Sequence, residues 1–178
     1  PCGSLDMSPI NIVNQAKNKR LHIIGITDHN ATQNAYVTQK IGESEGVFVL
    51  FGVEVCTKEA IHCLAFFENN SELINFQKYI DKHLPEIPND VDKLGYQLIV
   101  DENEDIIDQL PYTLLSGINQ SIDEVKNEVV KNNGIFIPAH IDRATFSISS
   151  QLGFVPPSLK PHAFEVSKYS SRPLILKQ

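Results

Sequence analysis

The stretch Ile23-Ile24-Gly25-Ile26-Thr27-Asp28-His29-Asn30 decides how the chain is read. Five of its residues form an apolar run long enough for a buried strand of a parallel sheet, and the run ends abruptly in an acid, an imidazole and an amide. Such polar groups are costly inside a core. They therefore mark the carboxyl end of the strand, where α/β proteins place their chemistry.

Outward from this stretch the pattern repeats. A helix starts at Ser8-Pro9, a good cap followed by a good first helical residue, and runs to about Asn18. Ala31 to Ser44 reads as a second helix, stopped at Gly46. Val47 to Val55 then reads as a buried strand ending near Glu54, and Ile61 to Phe67 as a third strand. Only Cys56 to Ala60 separates these two strands. That is too short for a parallel crossover, so an antiparallel hairpin is expected with its tip near Lys58-Glu59. Ser71 to about Leu84 is amphipathic and helical. Pro85 to Tyr112 breaks the rhythm with its prolines and the run Asp101-Glu102-Asn103-Glu104-Asp105, as an insertion of short elements would. Ser121 and Glu124 have capping-box spacing for a helix to Lys131, stopped by Asn132-Asn133-Gly134. Ile135 to Ala139 reads as a strand running into His140, and Ala163 to Ser167 as a last short strand. The alternation gives an α/β class and a single domain over 1–178 with an insertion at about 85–112.

Composition narrows the function. The chain of 178 residues is 42% hydrophobic and 21% charged, ordinary values for a globular protein. No apolar run reaches a membrane span, and Pro1 to Arg20 lacks the build of a signal peptide. A net charge of -7 argues against a broad nucleic-acid surface on this domain, though bound cations can still draw an anionic substrate to one site. Three cysteines, Cys2, Cys56 and Cys63, with no CxxC pair, read as free thiols in a reducing cytoplasm. A Cys56–Cys63 crosslink is conceivable if their strands pair.

Four strand ends carry metal-ligand residues: Asp28-His29, Glu54, His62 and His140. His62 opens its strand, but an antiparallel partner brings it to the same end as Glu54. All four then converge on one pocket. Imidazole and carboxylate together suit zinc, iron or manganese, and a carboxylate such as Glu54 can bridge two ions. Asp28 can bind metal or orient a neighbouring histidine. Arg143, three residues after His140, has the planar fork that suits phosphate oxygens and is the candidate substrate-binding residue; Lys168 and Arg172 are weaker ones. His22, His83 and His162 read as structural or exposed.

Read in order, Ile26-Thr27-Asp28-His29-Asn30, Gly52-Val53-Glu54-Val55, Ile61-His62 and Pro138-Ala139-His140 resemble successive motifs of the PHP (polymerase and histidinol phosphatase) family. The resemblance implies a distorted (β/α)7 TIM-like barrel with two or three divalent metal ions. His29, Glu54, His62 and His140 would be metal ligands. Glu54 and Asp28 would be the catalytic carboxylates, with a metal-activated hydroxide as the attacking group. The implied activity is hydrolysis of a small phosphate ester or nucleotide. The alternatives are a PHP module of a larger nucleic-acid enzyme and a metal-free, non-catalytic domain. Two motifs of the family, an opening His-x-His and a closing Asp-x-His, have no counterpart here, so a barrel incomplete at both ends is expected.

Overall fold

The computed structural model describes residues 5–167. Cys2, Lys168 and Arg172 lie outside the described residues. Helix α1 spans Pro9–Asn18, with Ser8 accepting a hydrogen bond from the Asn11 N–H. Strand β1, Ile23–Gly25, leads to α2, Gln33–Glu45, which starts two residues later than its pattern suggests and ends on Gly46 at φ 74°. The left-handed backbone there favours glycine. Next come β2, Phe48–Cys56, β3, His62–Phe67, and α3, Asn70–His83, capped by Asn69. Residues 85–112 hold a short helix α4, Val91–Leu94, and a hairpin of β4, Leu98–Val100, and β5, Ile106–Gln109. Helix α5, Ile122–Lys131, has the full capping box of Ser121 and Glu124. Strand β6, Ile135–Pro138, and α6, Ile148–Leu152, follow.

Four strands form one sheet in the order β1-β2-β3-β6. β1 pairs parallel to β2, β2 antiparallel to β3 as its short connection requires, and β3 antiparallel to β6. Among the described residues this sheet stays open. It does not close into the seven-stranded barrel that the motif resemblance implies. The segment 163–167 is not a strand either, although it runs beside the end of β6: Glu165 N–H donates to Pro138 O, and Ile141 N–H to Glu165 O.

The sheet has two unlike faces. Val53, Val55, Cys63, Ala65 and Phe136 are buried and join the apolar sides of α3 and α5 (Phe76, Ile80, Val125, Val129) in one core. The alternate residues Glu54, His62, Leu64 and Ile137 face the other way and are only half-buried. β1 and β2 were expected to be buried throughout. Instead they alternate: Ile23 and Phe48 are 62% and 63% exposed, with Phe48 on the Gly52 and Glu54 face, opposite the one that packs the core. The second face also explains Gly52. A Cβ there would sit 2.6 Å from the Phe66 ring and 2.7 Å from the Ile26 carbonyl oxygen, so only glycine lets β1 and the Phe66 side chain approach so closely.

The register settles the cysteines. Val55 pairs with Cys63 and Cys56 with His62, so Cys56 and Cys63 project from opposite faces of the sheet. Both are buried free thiols, and no crosslink can join them.

A candidate metal centre at the strand ends

Pairing of β2 with β3 sets Glu54 opposite Leu64 and His62 opposite Cys56, which puts Glu54 and His62 on the same face as diagonal neighbours. His62 Nδ1 lies 2.9 Å from Glu54 Oε1. β1 supplies the next group. Beyond its last strand residue, Glu54 N–H donates to Asp28 O and Asn30 N–H to Glu54 O, a parallel bridge that carries His29 alongside Glu54. His29 Nε2 is 3.8 Å from Glu54 Oε2. Ligand atoms of His29, Glu54 and His62 all lie within 4.8 Å of one another.

His140 reaches the same point by a different route. Strand alternation would turn it with Pro138 toward the Cys63 face. At His140, however, the backbone turns left-handed, with φ 31°, and its Nε2 comes 3.3 Å from His62 Nδ1 and 3.6 Å from Glu54 Oε1. A non-glycine residue in this region is strained and needs its surroundings to hold it. The Glu165 carboxylate does so by accepting the His140 N–H at 2.8 Å. His140 Nδ1 is buried without a partner, which is unusual for a polar atom unless something else binds there.

Two other residues frame the centre. Phe146, also at positive φ (56°), stacks on the His62 ring at 4.7 Å between centroids, and its carbonyl accepts the His62 N–H. Asn30, fully buried at φ 49°, donates to the carbonyls of Leu114 and Ser116 and accepts from the Cys56 N–H. It ties the end of β1 to the loop before α5. Asn30 was visible in the sequence as the close of the first apolar run, but its partners were not; Phe146 and Glu165 did not stand out, because the residues they hold lie 25 or more positions away.

Electrostatics match the geometry. Burial pushes the Glu54 carboxyl up. Hydrogen bonds from His140 and His62 and the nearby His29 and His62 outweigh it, and hold its pKa at about 2, so Glu54 is an anion. Burial lowers His29, with Glu54 opposing, which keeps that imidazole neutral and able to bind metal. Burial raises Asp28, whose side chain lines a cavity with His29 and Glu54. Three imidazoles around one carboxylate anion, one of them with an orphaned ring nitrogen, form a donor set that fits a divalent transition ion.

The remaining candidates sit elsewhere. Arg143 follows His140 on an exposed turn, its N–H donating to His140 O, and its guanidinium forms no ion pair among the described residues. His83 hydrogen-bonds to Tyr79 O, and exposed His162 accepts the Phe136 N–H; both are structural. Among the described residues no helix is long and apolar enough to cross a membrane.

No family model matches the chain. A stretch of 51 residues is 39% identical to an uncharacterized protein of Methanocaldococcus jannaschii, covering 29% of this chain and 30% of that protein. Among solved structures, a protein assigned as a metal-dependent phosphoesterase of Bifidobacterium adolescentis superposes with a TM-score of 0.55 at 16% identity, over 89% of this chain and 71% of that one. Endonuclease Q of Pyrococcus furiosus, described as lesion-specific, also gives 0.55 at 16% identity, over 87% of this chain but only 37% of its own length. Both are PHP-type proteins, and at these identities the likeness speaks for architecture. The chain thus shares the mixed α/β architecture of PHP-type neighbours, the family whose motifs its ordered strand ends resemble.

Proposed function

We propose that this chain is a PHP-type domain that hydrolyses a phosphate ester with divalent ions (zinc, manganese or iron, two or three in number) held at His29, Glu54, His62 and His140. The observation that carries the reading is the convergence of three imidazoles on the Glu54 carboxylate, with Glu54 held ionised and His140 Nδ1 left without a partner. When bound, such ions supply Lewis acidity toward phosphoryl oxygens and lower the pKa of water.

The chain's own residues do the rest. Glu54 provides the negative charge that offsets the cations. Glu165 and Phe146 fix the orientation of His140 and His62, the outer contacts that keep ligands in place. Asp28, its carboxyl raised by burial, faces the adjoining cavity and is suited to carry a proton to the leaving oxygen. Arg143, on the turn that begins at the His140 carbonyl, binds the phosphate in this reading. The complete seven-stranded barrel and a cytoplasmic location belong to the same proposal; the buried free thiols of Cys56 and Cys63 favour the latter.

One observation favours a second reading, a nuclease-type module. Lys58, Lys82 and Asn119 line a cavity of about 690 Å³ that reaches Phe146, the ring on His62, and a neighbouring phosphate of a strand could lie there. The test is bound metal per chain by elemental analysis of the full gene product, with p-nitrophenyl phosphate and a single-stranded oligonucleotide assayed alongside. Bound metal with ester hydrolysis, both lost in E54Q, supports the first reading. Cleavage of the oligonucleotide alone moves the assignment to the second. No metal and no hydrolysis after adding zinc, manganese or iron rejects both.

A further inference from the structure

Residues 85–112 form one wall of a cavity of about 630 Å³ whose other wall is the metal-type centre, through Asp28, His29 and Glu54. That size suits an organic group far larger than a phosphate. The wall is held rigidly. The Asn34 side chain donates to Leu98 O and accepts from the Val100 N–H, which pins β4 to α2. The Gln97 side chain donates to the carbonyls of Leu110 and Tyr112 and accepts the Leu114 N–H. The Gln97 amide thus gives both its N–H groups to the scaffold, and the Asn34 amide gives one.

What they present to the cavity is apolar: Leu94, Leu98, Ile99, Leu110 and Leu114, with Ala31 opposite. Gln33 also lines it; its carbonyl oxygen accepts the Thr32 N–H, and its amide N–H₂ has no partner among the described residues. Among the described residues no lysine or arginine lines the cavity, and its carboxylates, Asp28 and Glu54, sit on the side of the metal-type centre. A second anionic group seated against this wall would lose its hydration, and the wall offers no cation to offset the loss.

From this wall we infer the substrate class: a phosphate ester of an uncharged, largely apolar alcohol, with the alcohol seated against residues 94–100 and Leu110, and with esters bearing a second anionic group excluded. This rests on the phosphoesterase reading above. The test uses the metal-loaded full gene product with phenyl phosphate and 4-carboxyphenyl phosphate, which differ by one carboxylate. Wild type should favour phenyl phosphate by about tenfold or more in kcat/KM, mainly through KM. L98K should close most of that gap by supplying a cation on the wall, and Y96K at the exposed mouth is the companion variant should L98K fail to fold.

A second readout does not need turnover: saturation-transfer NMR on metal-free protein with phenol and with 4-hydroxybenzoate. Transfer to phenol but not to 4-hydroxybenzoate is expected. If both esters are hydrolysed equally, or the gap persists in both lysine variants, the cavity assignment is overturned and the phosphoesterase reading stands. If no ester is hydrolysed but phenol alone binds, the phosphoesterase reading falls and the substrate class with it, and only the preference of the cavity for an uncharged ring stands. Absence of binding together with absence of hydrolysis overturns both.

Discussion

Replacing Glu54 by Gln keeps the shape of the side chain and its acceptor oxygen but removes the charge, so its cost isolates what the three histidines do for the carboxylate. The folded protein lowers the Glu54 pKa from 4.5 to about 2. That drop converts to about 3 kcal/mol in favour of the ionised form. Glu54 is only 17% exposed, so solvent screening removes little of it. A depressed carboxyl contributes stability that is present above the unfolded pKa and is lost as pH falls through the folded pKa. Metal-free wild type should therefore exceed E54Q by about 3 kcal/mol at pH 7, and the difference should shrink between pH 4.5 and 2. Urea unfolding followed by circular dichroism at several pH values measures this directly. Adding zinc to about 100 times its dissociation constant should stabilise wild type by a further ~2.7 kcal/mol and E54Q by much less. If E54Q matches or exceeds wild type at pH 7 without metal, the histidines do not surround the carboxylate in solution, and the geometry of the centre is wrong.

Other perturbations probe the scaffold. N30A should cost about 3 kcal/mol, read as a loss in thermal stability, because it strands the Leu114 and Ser116 carbonyls and puts alanine at φ 49°. G52A should be strongly destabilising, and adding F66L should recover only part of the loss, since the clash with the Ile26 carbonyl oxygen remains. S121A should lower stability by about 1 kcal/mol through loss of the capping box on α5, with little effect on metal affinity. Oxidation of the native protein should give no Cys56–Cys63 crosslink by peptide mass mapping, because the two thiols lie on opposite faces of the sheet.

Elements with a local cause were legible along the chain. Ser121 and Glu124 announce their helix, and Gly46 and Asn132-Asn133-Gly134 end theirs, because caps and left-handed stops act within a few residues. The five-residue link from Cys56 to Ala60 forced an antiparallel pair, and with it the placement of His62 beside Glu54, since chain length alone limits the connection. The Asp28-His29, Glu54 and His140 strand ends were legible for the same reason: polar residues closing apolar runs have nowhere else to go. The remainder came from contacts between distant parts of the chain. β2 had looked buried throughout; its burial alternates because one face receives α3 and α5 while the other carries the site. His140 joins the centre through a left-handed turn held by Glu165, twenty-five positions away. The insertion became a cavity wall because Asn34 and Gln97 gave their amides to its backbone. Local signals fix where chains start, stop and turn. Which side chains meet depends on backbone hydrogen bonds closed across long loops, and no spacing along the sequence records those.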